Sequence, residues 1–525
     1  MGLKHEAEPR LAVKIAGVIT LLILPFVVLS LLEVFLAFLH TKTGSAYFEN
    51  EKEVLRRNDI ILDAFISNPD LYREELKSPK TKIAIFGGSS ATGFAAPFGF
   101  GKFVEEAGKG RLIVHNYAEA GAPFVGFQAE LLKMVMGHYD VIIIYAGHNE
   151  IWAQTYAKSK DANDVILLPW GKRVNSKGAF LKHDLKMIEL RNILENDQPP
   201  AEKLKNWLLD YAYRASLDSR ILHLLKLAIS PASRAASSSE PGVTPLHYYA
   251  KQAFIDAEGK REMLANFSAT IKEISSRLKP TQKLIVSTQI ANDLFPPLLD
   301  SFDAQDGVLD EVEKEAASLY DASKKQELDL VAKDVSSLPD GAHRNYLESV
   351  VCFDGIKPQP ASGRLDAKCL DLAQLARGKD AFPARVLPEV NAFIRSLRGA
   401  QGNLLVIDPE AVLRSQKDQT NYLSLFVDFQ HPSALAHMLI ASQILDTLFP
   451  DQGVKLSQSD ECDKYAVVWG GKQVSIEAPL EKIKDSAQAN LHWLEFFISV
   501  KQQTAPFLYE YYQTRANDKL KKCLP

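Results

Sequence analysis

The sequence predicts an α/β protein: a doubly wound parallel sheet of about five strands with helices on both faces, helical insertions and one N-terminal transmembrane helix. Three observations predict it. Short, continuously apolar runs recur along the chain, as strands buried on both faces of a parallel sheet require. Stretches with helical spacing stand between them, the alternation that builds α/β layers. One long, almost entirely apolar stretch lies near the start.

That stretch is Ile15–Leu39, interrupted only by Thr20, Pro25, Ser30 and Glu33. As a helix it would reach about 37 Å at 1.5 Å per residue, enough to cross a ~30 Å hydrocarbon core with some tilt. Pro25 would kink it, which membrane helices tolerate. Lys4, Arg10 and Lys14 precede the run and only Lys42 follows closely. The positive-inside rule then places the N-terminus in the cytoplasm and the body of the chain across the membrane, in a periplasmic or other extracytoplasmic space. The competing readings are a cleaved signal peptide, with Gly44-Ser45-Ala46 as the small-residue site, and a buried soluble helix. The organisation expected is an anchor over 1–40, a linker over 41–80, a catalytic domain over 81–450 and a C-terminal appendage over 451–525.

The strand candidates are Lys82–Phe86, Leu112–Asn116, Val141–Tyr145, Lys283–Thr288 and Asn403–Asp408. Phe127–Met136 has helical spacing between the second and third, Asn266–Leu278 precedes the fourth, and Ser433–Phe449 follows the last. The long gaps around the fourth run far exceed an ordinary crossover. They are read as mainly helical insertions, at about 170–264 and 301–383, with Ala235–Thr244 as a flexible loop. Leaving the sheet between crevice-forming segments, they are expected to wall or cover the substrate site. The tail is expected to be helix-rich, its aromatic residues Trp493, Phe496, Phe497, Phe507, Tyr509, Tyr511 and Tyr512 packing on the body.

Composition excludes several functions. With 46% hydrophobic and 24% charged residues, the 525-residue chain is neither disordered nor collagen-like. Lys+Arg 61 against Asp+Glu 65 leaves a net charge of -4, which gives no reason to expect a nucleic-acid partner. Cysteines 352, 369, 462 and 523 form no CxxC pair for zinc. Outside the cytoplasm they can pair, Cys352 and Cys369 being nearest in sequence, with connectivity left open.

Four blocks carry chemistry. Phe86–Gly93 (FGGSSATG) follows the first strand. Gly88 and Gly93 have phosphate-loop spacing, but Phe94 and Ala95 replace its Lys and Ser/Thr, and Ala91 replaces the last glycine of a G-x-S-x-G elbow. What remains is a serine on a Gly-rich turn at the carboxyl end of a strand, where open α/β sheets place their sites. Asn116–Gly121 ends the second strand with a glycine able to bring its N–H close to a ligand. Ala146–Glu150 (AGHNE) ends the third and offers the Asn149 amide. Asp428–Pro432 (DFQHP) precedes the final helix, with an aspartate placed to hold a histidine in one tautomer.

In this order the blocks resemble the SGNH hydrolases, also called the GDSL esterase/lipase family. The resemblance covers about 81–152, 284–300 and 388–448, and is consistent with a flavodoxin-like form of the sheet. It implies Ser89, His431 and Asp428 as nucleophile, base and orienting acid, with Ser89 and Gly121 N–H groups and the Asn149 amide as an oxyanion hole. Ser287–Pro297 (STQIANDLFPP) and Asn391–Arg395 (NAFIR) are similar to neighbouring family segments. Gly88 stands in place of the aspartate of G-D-S, and Glu150 in place of that of G-x-N-D. His437 is the rival base, read as a core histidine; His148 could touch substrate, and Ser90 is the neighbour a shifted register would choose.

The expected activity is a membrane-anchored serine esterase or deacylase acting on an acyl or acetyl ester of a small molecule or glycan. An O-acyltransferase resembling the polysaccharide O-acetyltransferases is the alternative. A non-catalytic envelope scaffold, with envelope protein partners held through the insertions, is the third reading. The chemistry needs no metal or cofactor, and the histidines are scattered rather than set at ligand spacing.

Overall fold

The computed structural model describes residues 68–150, 257–297, 315–356, 364–381, 385–488 and 506–523, less some single positions, with short pieces at 165–167, 173–175, 190 and 194. The expected transmembrane helix, its flanking residues and most of the first insertion lie outside the described residues. Among the described residues no helix is long and apolar enough to cross a membrane. The chain divides into two compact units. In the first, 1–60 with 161–241, the described strands Val165–Leu167 and Arg173–Asn175 pair antiparallel. The second, 61–160 with 242–525, holds everything below.

Its centre is a five-stranded, all-parallel sheet of β1 (Thr81–Gly87), β2 (Leu112–Asn116), β3 (Val141–Tyr145), β4 (Lys283–Ser287) and β5 (Leu404–Ile407), in the order β2-β1-β3-β4-β5. The five apolar runs of the sequence are these strands, to within a residue or two at each end. β3 is buried at every position. Fully burying an aliphatic or aromatic side chain stabilises by about 1.5–3 kcal/mol, so this strand anchors the sheet centre. Register aligns the carboxyl ends: Gly87 pairs with Tyr145, Ile85 with Asn116, and Ser287 with Ile407.

Ile83 and Ile85 of β1, Val141, Ile143 and Tyr145 of β3, Ile285 and Ile407 share a core with a helix over Phe100–Ala107 and the closing helix Ala434–Leu448. The alternate residues Ala84, Phe86, Ile142, Ile144, Leu284 and Val286 are fully buried as well. Both faces of the sheet are therefore covered.

The helices differ from expectation in their limits. Phe127–Met136 becomes Ala129–Val135, because Gly126 (φ +97°) and extended Val125 break the preceding turn. Asn266–Leu278 lies within a longer helix, Ala257–Ser276. The linker expected over 41–80 ends in helix Pro69–Lys77, capped by the Asn68 side chain and begun by a proline, as helix starts favour. Tyr72 of that helix is buried, its hydroxyl against those of Tyr117 and Tyr139.

Described parts of the second insertion are helical, including Leu328–Asp334, Ala342–Cys352 and Ala367–Lys379. The last two are joined by the Cys352–Cys369 disulfide. The tail, expected to be helix-rich, opens with a three-stranded antiparallel sheet that the sequence reading did not foresee, β6 (Lys455–Asp460), β7 (Lys464–Trp469) and β8 (Lys472–Glu477), β7 in the middle, and is helical over 480–488 and again at its end. A helix, Pro506–Cys523, ends the described chain, and Cys462–Cys523 ties it to that sheet. Tyr512 packs in the body as expected, whereas Trp493, Phe496 and Phe497 lie outside the described residues.

Candidate active site

The site forms where the chain turns off the carboxyl ends of β1 and β3. At Gly87 the two strand ends are so close that a Cβ would lie 2.0 Å from the Tyr145 carbonyl oxygen, and φ is +153°. Only glycine fits there. Gln128, fully buried, fixes the same residue: its side-chain oxygen accepts the Gly87 N–H at 2.8 Å and its amide donates to the Gly87 carbonyl at 2.7 Å. The backbone then enters a single helical turn, Ser89–Thr92. Ser89 is its first residue, so its N–H has no acceptor within that turn.

Ser89 meets a histidine 342 residues later. His431 Nε2 lies 2.8 Å from Ser89 Oγ, and His431 Nδ1 lies 2.5 Å from Asp428 Oδ2. A carboxylate oxygen can only accept, so Nδ1 carries the proton and Nε2 of the neutral ring is left to accept from the serine hydroxyl. The other Asp428 oxygen accepts the N–H groups of Gln430 and His431, each at 2.7 Å. One aspartate thus shapes the loop and sets the tautomer. Val427 N–H to the His431 carbonyl (3.0 Å) and Ser433 N–H to that of Leu425 (2.9 Å) close the loop, and Ser433 caps the final helix. All three side chains are nearly out of solvent: Ser89 is 8% exposed, His431 2% and Asp428 1%. Phe94, at the Lys position of a phosphate loop, lays its ring 4.7 Å from that of His431.

Asn149 sits beside the Ser89 turn. Its amide donates to the Ala122 carbonyl at 3.0 Å, and a Cβ on Gly88 would come within 2.2 Å of its nitrogen. Gly88 has an ordinary extended backbone, so space and not strain calls for glycine here. Gly121 (φ +79°) occupies the exposed turn after β2. Ala122, rather than Gly121, joins Gly88, Ser89 and Asn149 in lining a recess there. The structure therefore brings together Ser89, His431, Asp428 and Asn149, while Gly121 stands one residue outside the recess wall.

Of the other candidates, Ser90 and His148 line the same recess and His437 does not. His437 is fully buried in the closing helix, its ring 6.1 Å from that of Phe100. Burial first, then the nearby His431, push its imidazole down to about 3, so it stays neutral and cannot serve as a base near neutral pH. His148 is held at about 3 by burial, helped by His431 and Arg377. Glu150 ties the turn after β3 to the segment that follows β2, one oxygen accepting the Phe124 N–H at 2.8 Å. Burial pushes its carboxyl upward, against the pull of the surrounding backbone N–H groups.

The sequence reading gave some supporting residues no part in the site, although it placed Tyr512 on the body and Asn292 in a family-like segment. Asn292 donates its side-chain amide to the Asp428 carbonyl at 3.2 Å and to the Tyr512 hydroxyl at 2.9 Å, while its N–H reaches the Phe429 carbonyl at 3.0 Å. Arg515 donates to the Phe426 carbonyl at 3.1 Å. The C-terminal helix therefore buttresses the Asp428–His431 loop. Further out, fully buried Arg377 lies between Asp293 (3.0 Å) and Glu410 (2.9 Å). Among the described residues no three His, Cys, Asp or Glu side chains converge as a metal ion would need.

Fold and site together define a parallel α/β protein with a hydrogen-bonded Ser-His-Asp relay at the carboxyl edge of its sheet. Comparison of the chain with family models, curated proteins and solved structures gave no match.

Proposed function

We propose that the protein is a serine esterase or deacylase that cleaves an acyl or acetyl ester through an acyl-enzyme. The observation that carries this reading is the unbroken relay from Ser89 Oγ through His431 to Asp428 Oδ2. Nucleophile, base and orienting acid stand at reacting distances, from two chain segments that only the fold unites.

Ser89 Oγ attacks the ester carbonyl carbon as its proton passes to His431 Nε2. The imidazolium so formed is stabilised by Asp428. Negative charge collects on the carbonyl oxygen, and the groups available to meet it are the Ser89 N–H and the Asn149 amide. Asn149 would exchange its bond to the Ala122 carbonyl for one to the oxyanion, a stabilisation gained only when charge develops. Collapse returns the proton from His431 to the leaving alcohol. Water, activated by the same ring, then attacks the acyl-enzyme and frees Ser89.

The likeness of four sequence blocks to the SGNH hydrolases supports the same reading. So does the strand order, which suits a doubly wound, flavodoxin-like frame whose site lies at the carboxyl ends around its β1/β3 crevice. Two disulfides suit an oxidising, extracytoplasmic compartment, in keeping with an apolar N-terminal segment that directs the body across a membrane. The test is turnover of nitrophenyl acetate by the purified chain and by Ser89→Ala. Hydrolysis by the parent and its loss in a variant with an unchanged melting curve is the expected result. Equal turnover by both would remove the proposal.

A further inference from the structure

The recess beside Ser89 contains more polarity than the ester chemistry uses. Ser90 Oγ, His148 Nε2 and Glu150 Oε2 have no hydrogen-bond partner among the described residues, yet their residues are only 2%, 5% and 3% exposed. Unpaired polar atoms at such depth are costly, so three around one recess call for a shared partner. All three residues line it together with Gly88, Ser89 and Asn149.

Their chemistry defines that partner. The Val386 N–H donates to His148 Nδ1 at 3.1 Å, so that nitrogen is the acceptor and Nε2 of the neutral ring carries the proton. His148 therefore offers a fixed donor. Glu150 Oε2 supplies an acceptor when ionised, and the Ser90 hydroxyl can play either part. A hydroxyl, both donor and acceptor, answers this set; a methyl leaves every member unpaired. The recess is small, with room at its inner end for about one water-sized group, so it takes the hydroxyl and leaves the carbon it is attached to at the mouth.

We infer that the Ser90, His148 and Glu150 recess is a subsite for a short hydroxyl-bearing acyl group, binding its hydroxyl while the neighbouring carbonyl faces Ser89. This rests on the ester-cleaving reading and extends it to substrate choice. His148 is then a specificity-determining residue. A site built to pair a hydroxyl discriminates against the analogue lacking it far better than an apolar pocket discriminates one methylene.

The experiment compares matched methylumbelliferyl esters of glycolate and propionate, which differ by hydroxyl for methyl, each rate divided by that ester's uncatalysed rate. Site-mapped fluorophosphonate labelling of Ser89 is run alongside. The full chain is expected to favour glycolate by tenfold or more in kcat/KM. In His148→Phe and Ser90→Ala the ratio should fall to within about twofold of unity, while His148→Gln, which keeps a side-chain N–H, should recover part of the preference. A ratio near unity with Ser89 labelled would overturn the subsite and leave the nucleophile standing, as would a preference unmoved in all three variants. Absence of both labelling and turnover would remove the ester-cleaving reading, and this inference with it.

Discussion

Replacing Gly88 with alanine tests the site through a single methyl group. Gly88 precedes Ser89, and its backbone angles (φ -90°, ψ -157°) suit any residue, so alanine brings no backbone strain. The added Cβ would fall 2.2 Å from the Asn149 side-chain nitrogen and 3.6 Å from the Ala122 carbonyl oxygen. The nitrogen is the end of a rotatable side chain, so it yields, giving up its 3.0 Å bond to Ala122. Folding loses about one hydrogen bond, roughly 0.5–1.5 kcal/mol. Catalysis loses more, because a displaced oxyanion donor costs about 2.7–4 kcal/mol, a 10²–10³-fold fall in kcat. The assay pairs nitrophenyl acetate kinetics with urea unfolding for Gly88→Ala, Asn149→Ala and the double variant. Both single changes remove one donor, so the double variant should be scarcely slower than either. A folded Gly88→Ala protein with full kcat would refute the assignment of Asn149.

Three further outcomes follow from the geometry. In Asp428→Asn the side-chain oxygen can still accept the Gln430 and His431 N–H groups, so the loop keeps its shape. The new amide, however, donates to Nδ1 and forces the proton onto Nε2; kcat should drop about 10⁴-fold with little change in melting temperature, and a loss below tenfold would mean that His431 is not held as described. Tyr512→Phe removes the hydroxyl bonded to Asn292, so the Asp428 loop loosens; kcat should fall several-fold with KM nearly constant, and no change would show that the C-terminal helix does not position the site. His437 bears on acid stability. Its folded value, about 3, lies below the ordinary 6.5, so unfolded chains take up a proton that folded ones refuse, and stability is lost as pH falls from about 6.5 towards 3. The slope is about 1.4 kcal/mol per pH unit, so urea unfolding at pH 7 and pH 5 should show the parent losing roughly 2 kcal/mol more than His437→Phe; equal losses would contradict a neutral buried imidazole.

The sheet was legible because burial on both faces writes itself as uninterrupted apolar text. Val141–Tyr145 (VIIIY) has no other reading at that length, and all five of its residues are buried. The hydrogen-bonded grouping of Ser89, His431 and Asp428 was legible because each member sits where a strand or loop ends in an unusual local pattern: glycines before Ser89, and an aspartate three residues before His431. The tail sheet was less plain. β7 alternates, with Tyr465, Val467 and Trp469 buried, and Gly470-Gly471 joins it to β8, which is a hairpin signal. In a segment rich in helix-forming and aromatic residues that short alternation was outweighed. Local pattern placed Tyr512 against the body and Asn292 in a family-like segment, but it could not show what these two or Gln128 bond to. Their roles come from partners 136, 41 and 220 positions away, contacts that exist only after folding. The unpaired atoms of Ser90, His148 and Glu150 belong to the same kind, since a polar residue looks alike in sequence whether its partner is solvent, protein or substrate.

The most direct measurement is fluorophosphonate labelling of the purified chain, with the modified residue mapped by peptide mass spectrometry, in the parent and in His431→Ala. The account predicts one adduct, on Ser89, formed in the parent and slowed at least a hundredfold when the imidazole is removed. An adduct on another residue, or labelling of Ser89 at an unchanged rate without His431, would contradict it.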